Sequence, residues 1–186
     1  MLVVNILEHG SIRRLARLAF ESHLKIIPVH RNQLTHLQVT GPVQRFARQI
    51  ASHGYIVAAP SSYHEFTGPE ALAYDGPGTD AGNAWKIEKK LSAYDEDATL
   101  SVDLLKSMET CNGRIGATGM CLGGHLAFRC AFDKRIRAAV CYFATDIHSQ
   151  TLGKGKNDDS IKRVKDISGE LIMVRFFTST MSCWHC

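Results

Sequence analysis

No apolar run in this 186-residue chain approaches the roughly 20 residues that a membrane-spanning helix needs. Mean hydropathy is −0.11, so the expectation is a water-soluble protein without a membrane partner. Glycine and proline number only 15 and 5, far below collagen-like or low-complexity levels, which excludes those architectures. Nor is there the polar excess of a disordered chain, because hydrophobic residues reach 45% and charged residues only 22%. The length suits one globular unit with a real core. Aromatics are missing where basic residues concentrate. The first fifty residues hold seven Lys and Arg against Glu8 and Glu21, leaving 15 basic and 16 acidic residues elsewhere. Across residues 13–31 that basic excess has Phe20 as its one aromatic, which does not fit a nucleic-acid-binding stripe.

A basic leader is lacking too. Met1 runs straight into Leu2-Val3-Val4-Asn5-Ile6-Leu7, an apolar stretch too short for a secretory signal. Residues 11–20 are Arg-rich like a mitochondrial presequence, but glutamates flank them, so the expected location is cytoplasmic. Of the six cysteines, Cys111, Cys121, Cys130 and Cys141 sit among small and apolar residues. That context predicts reduced, mostly buried thiols rather than a disulfide framework.

Apolar periodicity predicts an amphipathic helix over 11–23, a short strand at Lys25–Val29 and a helix from Pro42 to Gly54. A buried strand follows at Tyr55–Ala59, then an irregular excursion over 61–84 rich in Gly, Pro, Asp and Ser. Further on come a helix at Asp95–Met108, a strand at Arg114–Thr118, a helix at Leu122–Phe132 and an apolar strand at Ile136–Ala144. A polar helix over 157–166 and a strand at Glu170–Phe177 complete the series. Alternation of this kind predicts an α/β fold, a mostly parallel sheet covered by helices on both faces.

Gly119-Met120-Cys121-Leu122-Gly123-Gly124 is the most informative stretch. A strand ends, a tight turn carries Cys121, and a helix begins at once, the context of a nucleophile elbow with Cys in place of Ser. Residues two positions either side must lack bulk for strand and helix to approach, and Gly119 and Gly123 meet that condition. A helix N-terminus beneath the sulfur favours the thiolate. The Leu122 N–H would then serve as an oxyanion donor. The alternative is a buried structural cysteine in an ordinary glycine-rich turn.

The segment from Gly119 through His125 to Arg129 resembles the elbow of the dienelactone hydrolases (carboxymethylenebutenolidases), α/β-hydrolases with a Cys nucleophile. Val39–Val43 with Phe46-Ala47-Arg48 is similar to the family's first helix after the oxyanion loop, and Gly54–Pro60 to its next strand. Thr145–His148 and Gly153–Asp159 also resemble one branch of the family. The likeness spans residues 38–174. It implies three parts: a divergent segment at 1–33, a hydrolase core at 34–174 and a divergent tail at 175–186. The chain thus reads as a truncated member lacking the C-terminal elements of the fold. The resemblance implies hydrolysis of a small-molecule ester or lactone through Cys121, with no cofactor and no metal.

Several family features have no counterpart here. The loop after Glu170–Val174, where the family keeps its acid, reads Arg175-Phe176-Phe177-Thr178-Ser179-Thr180 and holds no carboxylate. His185 is the only histidine beyond His148, and its surroundings do not resemble the family's His loop. Thr35 or His36 stands where the family usually has an oxyanion-loop Glu. As a substitute base the sequence offers His148, beside Asp146 in the loop after the neighbouring strand. His125 reads as structural, and the spacing of His64 assigns it nothing. Cys183-Trp184-His185-Cys186 lacks a second ligand pair for zinc and reads as a tail. Gly153–Lys156 reads as a solvated loop. Two alternatives stay open beside the hydrolase: an inactive family member and a thiol-reactive protein using Cys121. Missing final strands would leave a sheet edge for self-association.

Overall fold

The computed structural model describes residues 1–6, 41–67, 71–73 and 75–175. The helix expected over 11–23, the strand at Lys25–Val29, positions 35 and 36, residues 176–180 and the Cys183–Cys186 tail lie outside the described residues. The chain forms strand β1 (Leu2–Ile6), helix α1 (Gly41–Ser52), β2 (Tyr55–Ala58), α2 (Gly76–Glu88) and α3 (Leu91–Ser107). Then follow β3 (Ile115–Met120), α4 (Leu122–Cys130), β4 (Ile136–Tyr142) and β5 (Glu170–Val174).

The five strands lie in the order β2-β1-β3-β4-β5. Strands β3, β4 and β5 are parallel, whereas β1 runs antiparallel to both neighbours, pairing Val3 with Ala58 and with Ala117. The sheet is therefore mixed. Alternation with helices predicts only the parallel half: α4 links the parallel pair β3 and β4, whereas β1 pairs antiparallel with β2 although α1 lies between them in the chain.

Side-chain alternation sorts the core into two faces. Val3, Ala117, Ala139 and Cys141 point to one side, where Ala98, Val102 and Leu105 of α3 and Ala127, Phe128 and Cys130 of α4 cover them. Val4, Tyr55, Val57, Val140 and Tyr142 point to the other, packed by Ala47 and Ile50 of α1. Val102 and Leu105 are wholly buried. Each such side chain stabilises the fold by roughly 1.5–3 kcal/mol relative to an exposed one.

Two sequence expectations are corrected. Residues 76–88 form helix α2 rather than an irregular excursion. The Asp75 carboxylate caps it by accepting the Gly78 N–H at 2.7 Å, with proline in the first turn, so residues typical of loops here start a helix. The polar helix expected over 157–166 is instead a series of turns ending in a single 3-10 turn at Val164–Asp166. Asp158 accepts the backbone N–H of Ser160, and such local side-chain bonds compete with helix formation.

Candidate active site

Cys121 is the hinge of the elbow between β3 and α4. Its backbone has φ 56 and ψ −121, in the region that non-glycine residues avoid, and its side chain is exposed. Strain of this kind costs on the order of 1–3 kcal/mol and persists only where its surroundings enforce it. The Cys121 N–H donates to the Tyr142 carbonyl at 2.9 Å, tying the turn to the end of β4. Glycine is required close by. A Cβ on Gly119 would lie 2.3 Å from the Gly123 carbonyl oxygen, and one on Gly124 would lie 2.7 Å from the Tyr142 oxygen. The Gly124 and His125 amides bond back to the Cys121 carbonyl, whereas the Leu122 N–H has no acceptor among the described residues.

The turn opens on a cleft of about 200 Å³ at the C-terminal edge of the parallel strands. Cys121, Leu122 and Leu126 line it together with Val43 and Phe46 of α1 and with Pro60, Ser62 and Tyr63, which follow β2. Tyr63 is only 4% exposed, its ring edge-on to Trp85 at 5.9 Å. Burial pushes its phenol up to about 12, with the Cys121 charge adding to the rise. The Tyr94 hydroxyl donates to the Lys86 carbonyl at 3.3 Å.

The other thiols differ in setting. Cys130 and Cys141 are buried in the core, and burial pushes both up to about 12, where they stay protonated and inert. Cys111 is half-buried and bonded to the Gly113 amide.

Behind the elbow helix lies a dense polar cluster. His125 is fully buried, its Nε2 2.9 Å from Ser160 Oγ and 3.2 Å from Asp158 Oδ2. Arg129 grips Asp95 through two bonds of 2.8 Å and reaches Asp158 at 2.9 Å and Asp159 at 2.8 Å. Burial alone would raise the Asp158 carboxyl, but hydrogen bonds from His125 and Ser160 bring it down to about 2. Two hollows of about 240 and 380 Å³ border Arg129 and Arg163, whose guanidinium groups are already paired, Arg129 with Asp95, Asp158 and Asp159 and Arg163 with Asp166. The cluster fastens the 157–160 turn onto α4, which agrees with a structural reading of His125. Lys154 and Lys156 are exposed, as expected of a solvated loop.

Among the described residues, the remaining histidines stand apart from the cleft. His148 is exposed in the turn after β4, outside the cleft lining, while its neighbour Asp146 pairs with Lys86 at 3.1 Å. His64 faces Asp97 at 3.2 Å. The structure thus joins Cys121 and Leu122 in one cleft and leaves His148 outside it. Tyr63 and Ser62 were missed in the sequence. The available signal was their place just after β2, since ligand crevices of α/β sheets form at strand ends.

No described helix is long and apolar enough to cross a membrane. The sequence model of the dienelactone hydrolase family matches residues 38–170. A curated Saccharomyces cerevisiae protein named "Putative carboxymethylenebutenolidase" is 58% identical over 142 residues, covering 75% of this chain and 52% of that protein. The chain therefore spans about half the length of this curated relative. No solved structure matches it. With its glycine-bounded elbow on an α/β sheet, the chain belongs to the dienelactone hydrolase family, whose fold is that of the α/β-hydrolases.

Proposed function

We propose that the chain cleaves a small ester or lactone with Cys121 as nucleophile. The observation that carries this reading is the exposed cysteine, held at positive φ on the elbow and facing a cleft. The family and the name of the yeast relative supply the bond type. Cleft walls of Val43, Phe46, Pro60 and Leu126 favour a compact, apolar acyl group.

In this reading the Cys121 thiolate attacks the carbonyl carbon. A C–S bond forms and the carbonyl electron pair moves to oxygen, where the Leu122 N–H stabilises it. Collapse of the tetrahedral intermediate breaks the C–O bond, and the alkoxide takes up a proton. Water then hydrolyses the thioester, releasing the acid and restoring the thiol. His148 is the substitute base to test, by H148Q. The free thiols among the described cysteines suit the reducing cytoplasm.

A second reading has its own support: among the described residues no His, Asp or Glu lines the cleft. Without an imidazole or carboxylate base, Cys121 would react with acyl donors or oxidants but turn over slowly. Hydrolysis of p-nitrophenyl acetate and of a dienelactone, beside C121A, separates the two. Turnover lost in C121A supports the hydrolase. Stoichiometric labelling of Cys121 without turnover supports the second reading and overturns the first.

A further inference from the structure

Tyr63 and Tyr94 share one buried cluster, and Tyr63 borders the cleft. Tyr63 lines the same cavity as Cys121, and its ring is held by Trp85, which Phe66 stacks against at 5.7 Å. The turn that presents it is closed by Phe66 and Thr67 amides donating to the Tyr63 carbonyl at 3.0 and 3.3 Å. Tyr94 is 3% exposed, packs in the same cluster as Tyr63 and donates its hydroxyl proton to the Lys86 carbonyl.

The Tyr94 proton goes to the Lys86 carbonyl. The Tyr63 hydroxyl has no side-chain acceptor among the described residues, and it borders the cleft. A buried phenol requires an acceptor, and a ligand in the cleft can provide it.

We propose that Tyr63 is a further catalytic residue, donating its hydroxyl proton in a hydrogen bond to the carbonyl oxygen of a substrate under attack by Cys121. The inference rests on the hydrolytic reading above. Proton ownership does not change in the step: the oxygen gains a hydrogen bond as its charge develops, and loses it when the carbonyl reforms. A phenol pushed up to about 12 keeps its proton at neutral pH, so it acts as a donor and not as a base. Trp85 and Tyr94 restrain the ring before substrate arrives, so little order is lost on binding.

The test compares the full chain with Y63F and Y94F in two reactions. The first is the p-nitrophenol burst from p-nitrophenyl acetate, which develops an oxyanion. The second is alkylation of Cys121 by iodoacetamide, which develops none on a carbonyl. Y63F should slow the burst by about 10²-fold and Y94F by about 3- to 10-fold. Both should alkylate within about twofold of the parent, which also shows that the elbow is folded. An unchanged burst in Y63F overturns the role of Tyr63 and leaves the nucleophile standing. Equal losses in burst and alkylation overturn it too, since the hydroxyl would then act on the sulfur or the fold. A parent chain that gives no burst at all overturns the hydrolytic reading and this inference with it.

Discussion

Cys121 and Arg129 flank the same short helix and live under opposite conditions. At the helix start, Cys121 is exposed and strained, beside a Leu122 amide without an acceptor among the described residues. Near the helix end, Arg129 is buried and bonded to Asp95, Asp158 and Asp159, with His125 a turn earlier held by Ser160. Polar groups left unsatisfied at an open edge remain available to a ligand. Polar groups paired with one another in the interior anchor one segment to another. The contrast predicts that substitutions at the helix start remove chemistry and leave the fold, and that substitutions in the cluster do the reverse.

C121A gives the largest effect on that view: loss of ester cleavage on the order of 10⁴-fold, with the thermal midpoint little changed because alanine keeps the Cβ and with it the backbone strain. Activity assays beside calorimetry check both halves. R129M is the mirror experiment. It leaves the Asp158 carboxylate buried without its guanidinium and should cost about 3–5 kcal/mol in denaturant unfolding. The folded fraction should still alkylate at Cys121 at the parent rate.

G119A joins the two regions, since its new methyl would press on the Gly123 carbonyl oxygen. We expect a loss of about 1–3 kcal/mol, with Cys121 reactivity falling in parallel because the elbow itself is displaced. The smallest effect concerns acid. The Asp158 carboxyl, normally near 3.8, is held at about 2 in the folded protein. Its contribution, about 2 kcal/mol, is present above pH 4 and is lost as pH falls from about 4 to 2. Acid unfolding of D158N should lack that step while the parent shows it.

Much of the elbow was legible because its requirements are local. A strand, a turn bounded by Gly119 and Gly123 and an immediate helix leave few alternatives, and the structure adds Gly124 as a close contact with Tyr142. What escaped the sequence depends on distance along the chain. Strand β1 is a short apolar run whose partners, Ala58 and Ala117, lie far along the chain, so no local signal reports its antiparallel pairing. Helix α2 was hidden because Asp75, Gly76 and Pro77 read equally well as a loop and as a helix start. Tyr63 carries no motif; only folding brings the end of β2 beside the end of β3. The buried cluster was half visible, as His125 on the apolar face of α4, but its partners Asp158 and Ser160 read as a solvated polar helix.

The central claim is that Cys121 takes the acyl group. Acid-quenched samples from the first turnovers of p-nitrophenyl acetate, digested and mapped by mass spectrometry, locate the adduct directly. The account predicts a single acetyl on the peptide containing Cys121, discharged by hydroxylamine as a thioester and decaying at the rate of turnover. Acetyl groups confined to lysines or to another cysteine, with Cys121 unmodified while p-nitrophenol is released, would contradict it.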